Sequence, residues 1–526
     1  MIAIEQKTSV IIVGAGPTGL MMAAQLALQN IPFLIIEKAS GSTTQSRALG
    51  IQARTLEIFA QMGIINEFLA QGQPAKALNF ITHGKVARHV PLKNMGAGLT
   101  SFPYLLMLEQ SKTERILVNF LKSFKKEIYW NTELVSFTQD SAAVSAIVKD
   151  AEGNQQTIHA DWIIGADGAH SVVRHVLGIK LAGRTYKQSL FVLDCKIDWD
   201  MPNDELAVSF SEKSFAAFFP MTENRWRIVG EVPPSAYGND EITFEEVNKD
   251  FAKLLNIKLT LHDPKWISLY HSHHRCVETF EEGRAFLLGD AAHIHSPVGA
   301  QGMNTGLQDA YNLAWKLALV IKGKASQALV QTYTEERLPF AHKLVHTTDR
   351  LFSLIVGTNP LAIFARMHII PTVIKFVMSQ PKGRKFMFRT ISQIGISYRD
   401  ESLAHEASQG VFAKNIPVAG DRLPYVLFTD EKGKQTNIQE FVHPAKFCLL
   451  IFGRRNTSEV EEIAREHETL MTVKQFTYTP ALRELFTAFG ITNGGYYLIR
   501  PDMYIAYCSN LASTGLFRKY LEKLFI

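Results

Sequence analysis

The stretch Ser9-Val10-Ile11-Ile12-Val13-Gly14-Ala15-Gly16-Pro17-Thr18-Gly19-Leu20 decides how this chain of 526 residues folds. Ser9 to Val13 is a short apolar, β-branched run, as expected of a buried parallel strand. Gly14, Gly16 and Gly19 mark a tight turn. Leu20 to Gln29 then reads as a helix that ends near Asn30. Ile31-Pro32-Phe33-Leu34-Ile35-Ile36-Glu37 is a second strand with an acid at its end, completing a βαβ unit.

Glycines at this spacing permit a sharp turn and let the backbone approach a diphosphate closely. Pro17 and Thr18 open the helix, whose first N–H groups and positive dipole end favour phosphate. Glu37, with Lys38 beside it as a further cofactor contact, is placed to accept the hydroxyls of an adenosine ribose. A tight turn without a ligand accounts for the glycines but not for strand, helix and acid together. The unit specifies a dinucleotide and does not choose between NAD and FAD.

Two distant segments make that choice. Asp161-Trp162-Ile163-Ile164-Gly165-Ala166-Asp167-Gly168-Ala169-His170-Ser171-Val172-Val173-Arg174 is a strand that ends in a polar turn. Gly289-Asp290-Ala291-Ala292-His293 runs through Pro297 into Gly299-Ala300-Gln301-Gly302-Met303-Asn304 and a strong helix from Gly306 to Ile321. Together the three segments resemble the group A flavoprotein monooxygenases, the aromatic hydroxylases of the p-hydroxybenzoate hydroxylase fold, over residues 9–350.

That resemblance implies noncovalently bound FAD. It puts Asp167 in the turn that contacts FAD and influences NAD(P)H binding, and Gly289 and Asp290 at the ribityl chain. Pro297, Gly302, Met303 and Asn304 fall on the pyrimidine side of the isoalloxazine. There, backbone N–H groups at a helix N-terminus stabilise the negative charge of reduced flavin. Arg47 resembles the arginine that approaches the flavin phosphates, and Gln110 the glutamine at the FAD ribose or phosphate region. Arg174 is read either as a cation beside the diphosphate or as a structural partner of Asp161, and Arg54 with Glu57 as a structural helix pair. Ala300 stands where many relatives have a second glycine.

The reaction implied is hydroxylation of an aromatic, phenolic substrate. NADPH or NADH reduces FAD, O₂ adds at C4a to give a hydroperoxide, and its terminal oxygen attacks an electron-rich ring carbon. The protein positions the substrate and excludes water. Phenol hydroxylase-like relatives carry an aspartate in the stretch after the Arg47 equivalent, where this chain has Leu49. The catalytic base is therefore unassigned, with Tyr186 and Arg225 as weak candidates by position. A polycyclic, polyketide- or antibiotic-like aromatic is favoured over a simple phenol. A flavin-bearing protein that binds a reactive ligand without oxygenating it is the alternative. A flavin-dependent halogenase fits poorly, because Arg225-Trp226-Arg227 does not match that family's tryptophan signature.

The fold class expected is α/β. A Rossmann-like FAD-binding domain occupies residues 1–185 and 281–410, the latter with a helical region. An antiparallel-sheet substrate domain is inserted over 186–280, with little helix in it. A thioredoxin-like C-terminal domain covers 411–526, entered through a Pro/Gly linker at Asn415 to Pro424. Arg500-Pro501-Asp502-Met503-Tyr504 is its most recognisable string. It resembles the extension of phenol and polyketide hydroxylases, has no CxxC pair, and is expected to act in packing or in a homodimer.

Net charge is +5 with the basic residues dispersed, so no nucleic-acid partner is expected. Four widely spaced cysteines fit a reducing cytoplasm. The histidines near 271–274 and 293–295 lack acidic partners at metal-ligand spacing, and no metal is expected. The apolar tract Leu351 to Met378 is broken by Pro360, Arg366, His368, Pro371 and Lys375, and reads as buried or interfacial helices with no membrane partner.

Overall fold

The computed structural model describes residues 5–44, 48–237, 239, 241–296, 299–406, 416–430, 432–453, 458–492, 494–509 and 514–526. At its centre Lys7–Val13 lies between two parallel neighbours, Phe33–Ile36 and Gln155–Gly165, and the last pairs in parallel with Ala285–Leu287. Val10, Ile11 and Ile12 have no exposed surface, as a strand covered on both faces requires. The sheet is completed to seven strands by Glu133–Gln139, Val144–Lys149 and Glu281–Glu282. Its first strand ends at the turn into helix Pro17–Leu28. Helix Gly302–Ile321 packs along that helix.

The second sheet has eight strands, built on two long antiparallel ones, Ala182–Asp198 and Thr260–Cys276. Three shorter strands continue it: Arg225–Glu231, Phe215–Pro220 and Leu206–Phe210. It then takes in a hairpin from outside residues 186–280, Ala77–Thr82 with Lys85–Pro91, joined in parallel to Leu206–Phe210. His293–Ile294 adds a short strand at the opposite edge. The hairpin escaped the sequence reading because its turn rests on positive φ at His83 (51°) and Gly84 (75°), and only the glycine advertises that.

Residues 186–280 also hold a helix, Phe244–Leu255, where little helix was expected. Thr243 and Glu246 form a reciprocal capping box, and Val247, Phe251 and Leu255 are buried on one stripe. The Phe251 ring meets Phe191 at 5.6 Å and Phe218 at 6.0 Å on the sheet.

Helix Ala328–Val356 is followed by Pro360–Ser379, which stays helical through one π-turn at Ala365–Ile369, and by Pro381–Ile391. Pro360–Ser379 is 20 residues long and apolar enough to cross a membrane by length and composition, yet only 28% of its apolar window is buried. A mixed five-stranded sheet with a thioredoxin-like arrangement forms the C-terminal part. Phe447–Gly453 pairs in parallel with Met471–Thr477 and antiparallel with Gly494–Ile499. Asn415 of the expected linker lies outside the described residues.

A buried ionic knot ties this part to the rest. Arg500 donates to Glu336 on helix Ala328–Val356 and to Asp502, and Lys316 donates to Glu336 at 2.8 Å. Burial pushes the Glu336 carboxyl up, but Arg500 and Lys316 outweigh it and hold it well below the usual carboxylate range. All four cysteines are buried and none is in a disulfide.

Candidate flavin site

Three glycines make the dinucleotide turn possible, each for a separate steric reason. Gly14 has φ +101°, and a Cβ there would stand 2.4 Å from the Ala166 carbonyl oxygen. A Cβ on Gly19 would lie 1.9 Å from the Gly14 carbonyl, so the helix seats directly on the turn. A Cβ on Gly16 would meet nothing within 4 Å, and it is here that the backbone lies open to a ligand. Pro17 occupies the first helical turn, where no N–H is needed, and no side chain caps the helix. The cradle therefore keeps its N-terminal N–H groups for an anion.

Glu37 follows the second strand. Its Oε2 accepts from the Ala15 N–H at 2.8 Å and its Oε1 from the Ala39 N–H at 3.0 Å. These bonds fix the carboxylate beside the turn and leave lone pairs for ribose hydroxyls. Lys38 is exposed next to it.

The second segment touches the first, since the Asp167 Cα would lie 3.0 Å from a Cβ on Gly14. Asp167 Oδ2 accepts from the Val172 and Val173 N–H groups at 2.7 and 3.2 Å, while Oδ1 is buried with no protein partner. Burial raises the Asp167 pKa. Such an orphan acceptor beside the diphosphate cradle fits a ligand hydroxyl or a bound water. Arg174 does not form the ion pair with Asp161. It donates to the carbonyls of Ala291 at 3.0 Å and Ala169 at 2.8 Å, bracing the second segment against the third.

The third segment closes the cradle. Gly289 has φ +57°, and a Cβ there would reach 2.7 Å from the Thr18 Oγ1; a Cβ on Gly306 would reach 2.3 Å from the same atom. Thr18 thus meets the third segment at Gly289 and Gly306, while Gly14 meets the second at Ala166 and Asp167. Asp290 is exposed in the turn Gly289–Ala291, next to this junction.

The turn is held from behind by Asp309 and Arg337, which the sequence did not single out, together with His293. Asp309 accepts from the Gly289 N–H at 3.1 Å, pairs with His293 at 2.7 Å and with Arg337 at 2.8 Å. Burial pushes the Asp309 carboxyl up, but Arg337 and His293 outweigh it and keep it below its ordinary value. Arg337 comes from a helix elsewhere in the chain, so no local pattern could reveal it.

Gly302, Met303 and Asn304 form the first turn of helix Gly302–Ile321, which begins one turn earlier than Gly306 and has no side-chain cap. Their backbone N–H groups are the unpaired donors of a helix start. The Asn304 side chain is committed elsewhere. Its Oδ1 accepts from the Gln52 N–H and the Thr55 hydroxyl, and its amide donates to the Gly50 and Ala300 carbonyls. Ala300 adopts φ +52°, the left-handed conformation that a second glycine would take without strain.

Gln110 accepts from the Ala48 N–H at 3.1 Å and donates to Glu114 at 2.9 Å, which in turn accepts from the Thr43 N–H. These bonds tie down Thr43 and Ala48 on either side of residues 45–47. Arg47 and Pro297 themselves lie outside the described residues. Arg54 and Glu57 pair at 3.0 Å as expected, and Arg422 of the C-terminal part joins Glu57 at 2.9 Å.

Neither candidate base fits that role. The Tyr186 hydroxyl donates to Asp349 and lies 2.7 Å from Ser353 Oγ, and burial followed by the Asp349 contact raises its pKa. Arg225 bonds the Asp263 carbonyl. Leu49 is buried in an apolar cluster with Ala75, Met107, Leu206 and Met221. His295 is fully buried: its Nδ1 donates to the Ser296 carbonyl at 2.9 Å, its Nε2 has no protein partner, and burial pushes its pKa down to about 4. A Cβ on Gly302 would sit 3.6 Å from that Nε2, so the histidine faces the start of the helix. Among the described residues no group of three or more side chains is arranged to hold a metal.

Residues 7–348 match the FAD binding domain family, and residues 416–525 match the aromatic-ring hydroxylase C-terminal family. The chain is 30% identical to the 6-methylpretetramide 4-monooxygenase of Streptomyces rimosus, over 98% of this chain and 93% of that protein. It is 29% identical to the pentachlorophenol 4-monooxygenase of Sphingobium chlorophenolicum, over 79% and 75% of the two chains. The anhydrotetracycline hydroxylase structure from Streptomyces rimosus superposes with a TM-score of 0.80 at 26% identity, covering 99% of each chain. These relatives favour oxygenation over a flavoprotein that only binds its ligand. With the three-segment cradle in place, the chain belongs to the FAD-dependent aromatic-ring hydroxylases, as an aromatic monooxygenase with a thioredoxin-like C-terminal domain.

Proposed function

We propose that this protein adds one oxygen atom to a phenolic ring of a polycyclic, polyketide-like aromatic, with NADPH or NADH and O₂ as co-substrates. The balance is ArH + O₂ + NAD(P)H + H⁺ giving ArOH + NAD(P)⁺ + H₂O. Bound FAD supplies the passage of electrons from nicotinamide to oxygen. Glu37 and the turn Gly14 to Gly19 hold the adenosine diphosphate half, Asp290 the ribityl chain, and the Gly302 helix start the pyrimidine edge.

The observation that carries the substrate class is the apolar wall around Leu49. The residue at that position is a buried leucine and not a carboxylate that could take a phenol proton. A large aromatic whose phenol is acidified by its own fused carbonyl system needs less help. Relatives named for a pretetramide and for pentachlorophenol span both classes, and the wall favours the polycyclic one.

A cavity of about 770 Å³ beside the Asp167–Gly168 turn is lined by His170, Arg174, His175, Lys180, His273 and Arg275. Its cationic lining supports binding of the coenzyme diphosphate there. The buried cysteines, none of them in a disulfide, suit a reducing cytoplasm.

The test is NADPH and NADH oxidation by the FAD-loaded protein against a panel of simple phenols and polycyclic phenols, with product mass. The expected result is stimulation by polycyclic phenols and a product heavier by one oxygen atom. Stimulation by simple phenols alone would overturn the substrate class. Absence of stimulation across the panel would overturn the hydroxylase reading.

A further inference from the structure

Helix Pro360–Ser379 turns an apolar face to solvent. Leu361 is 82% exposed, Phe364 56%, Ile369 48%, Val373 51% and Phe376 65%. The π-turn at Ala365–Ile369 makes this one face. It adds a residue between Phe364 and Ile369, so that at about 100° per residue elsewhere the five side chains fall within roughly a quarter of a turn. The opposite side is buried through Ala362, Arg366, Met367, Pro371 and Met378. On the adjoining helix Pro381–Ile391, Phe386 is 67% exposed.

The charge carried by these two helices has one sign. From Arg350 to Arg399 the sequence contains no aspartate or glutamate. Lys375, Lys382, Lys385 and Arg389 are exposed along the two helices. The neighbouring edge strand Lys85–Pro91 adds Lys85 and Arg88, with Val86 47% exposed; Arg88 donates to Thr372 at 3.3 Å.

We propose that this face is a peripheral docking surface for an anionic lipid bilayer, on which the helix lies in the interface plane with its phenylalanines among the acyl chains. Exposed apolar side chains flanked by lysine and arginine are what such a surface takes up. The helix does not span. Its inner side is fixed to the protein by Arg366, whose guanidinium donates to the carbonyls of Ile355, Gly357, Ser211 and Glu212. The expectation of no membrane partner rested on the broken apolar run, and a helix lying flat needs no unbroken run. A second copy meeting this patch face to face would oppose cations to cations. This inference stands apart from the hydroxylase reading.

The test is flotation of the full-length, FAD-loaded protein with phosphatidylcholine vesicles and with vesicles containing phosphatidylglycerol. The expected result is binding to the anionic vesicles, lost at high salt, and at least about tenfold weaker to the neutral ones. Phe364→Ser/Phe376→Ser/Phe386→Ser is expected to weaken binding at least about tenfold while retaining FAD, and Lys382→Glu/Lys385→Glu to weaken it on anionic vesicles. Phe376→Trp is expected to shift its emission to the blue when anionic vesicles are added. No binding at low salt, or equal binding to both vesicle types, would overturn the proposal. So would a dimer in solution that the phenylalanine variants convert to monomer, because the face would then be covered by a second copy.

Discussion

Gly306 and Thr18 meet so closely that a Cβ on residue 306 would come within 2.3 Å of the threonine Oγ1. One residue opens the helix of the dinucleotide turn, and the other lies in the helix that follows the flavin loop. Their contact sets how near the two helix N-termini stand, and so the shape of the cradle between them. Gly306→Ala is expected to lower stability by about 1–3 kcal/mol through overpacking and to weaken FAD binding. Thr18→Ala removes the obstructing oxygen, so the double variant should recover most of the loss. Thermal unfolding with flavin fluorescence titration checks this, and simple additivity of the two changes would show that the contact is not what excludes the methyl.

In the proposed arrangement Asp290 and Glu37 hold opposite ends of the same cofactor. Asp290→Ala is expected to purify without flavin colour, and Glu37→Ala to bind FAD about tenfold or more weakly, the loss of a charge-assisted hydrogen bond. A yellow Asp290→Ala protein with unchanged flavin affinity would remove the ribityl assignment.

Arg275→Ala is expected to raise the KM for the nicotinamide coenzyme by about tenfold with little change in kcat, since one ionic contact to a diphosphate is worth about 1.5–3 kcal/mol. An unchanged KM for both coenzymes would move the coenzyme site away from the cavity beside Asp167.

His295 makes stability depend on pH. In the unfolded chain it titrates near ~6.5, and in the fold burial holds it at about 4. Between those values the unfolded chain binds a proton that the folded chain refuses, so stability falls as pH drops through that window. The loss is about 2 kcal/mol at pH ~5 and none is expected from this group above pH ~7.5. Urea unfolding at the two pH values measures it. His295→Gln should flatten the dependence, and an equal dependence in the variant would assign it to other groups.

Glu336 receives Arg500 and Lys316 in a site closed to water. Glu336→Ala would leave two cations without their shared partner. It is expected to cost about 3–5 kcal/mol and to loosen the C-terminal domain before the flavin domain. Limited proteolysis beside a melting curve reads both effects, and a variant as stable as the parent would show that Asp502 alone satisfies Arg500.

The flavin cradle was legible in the sequence because each of its segments is local. A strand, a glycine turn and a helix start announce themselves by periodicity and by residues that tolerate positive φ, and the resemblance of three such segments named the cofactor. Asn304 shows the limit: its position was readable, but its side chain turned out to brace Gly50 to Thr55, residues remote in sequence. The hairpin Ala77–Pro91 was missed because His83 does not advertise the positive φ its turn requires and because pairing with Leu206–Phe210 leaves no local signature.

The sequence by itself determined the dinucleotide turn, the cofactor class and the absence of a carboxylate at Leu49. Each depends on residue type within a few positions. Only the tertiary structure decided that Asp309, His293 and Arg337 lock the Gly289 turn, that Arg174 bonds carbonyls rather than an acid, and that the Pro360–Ser379 helix keeps its phenylalanines on the outside. These are contacts between distant segments, fixed by packing geometry and burial, which no single stretch of the chain encodes.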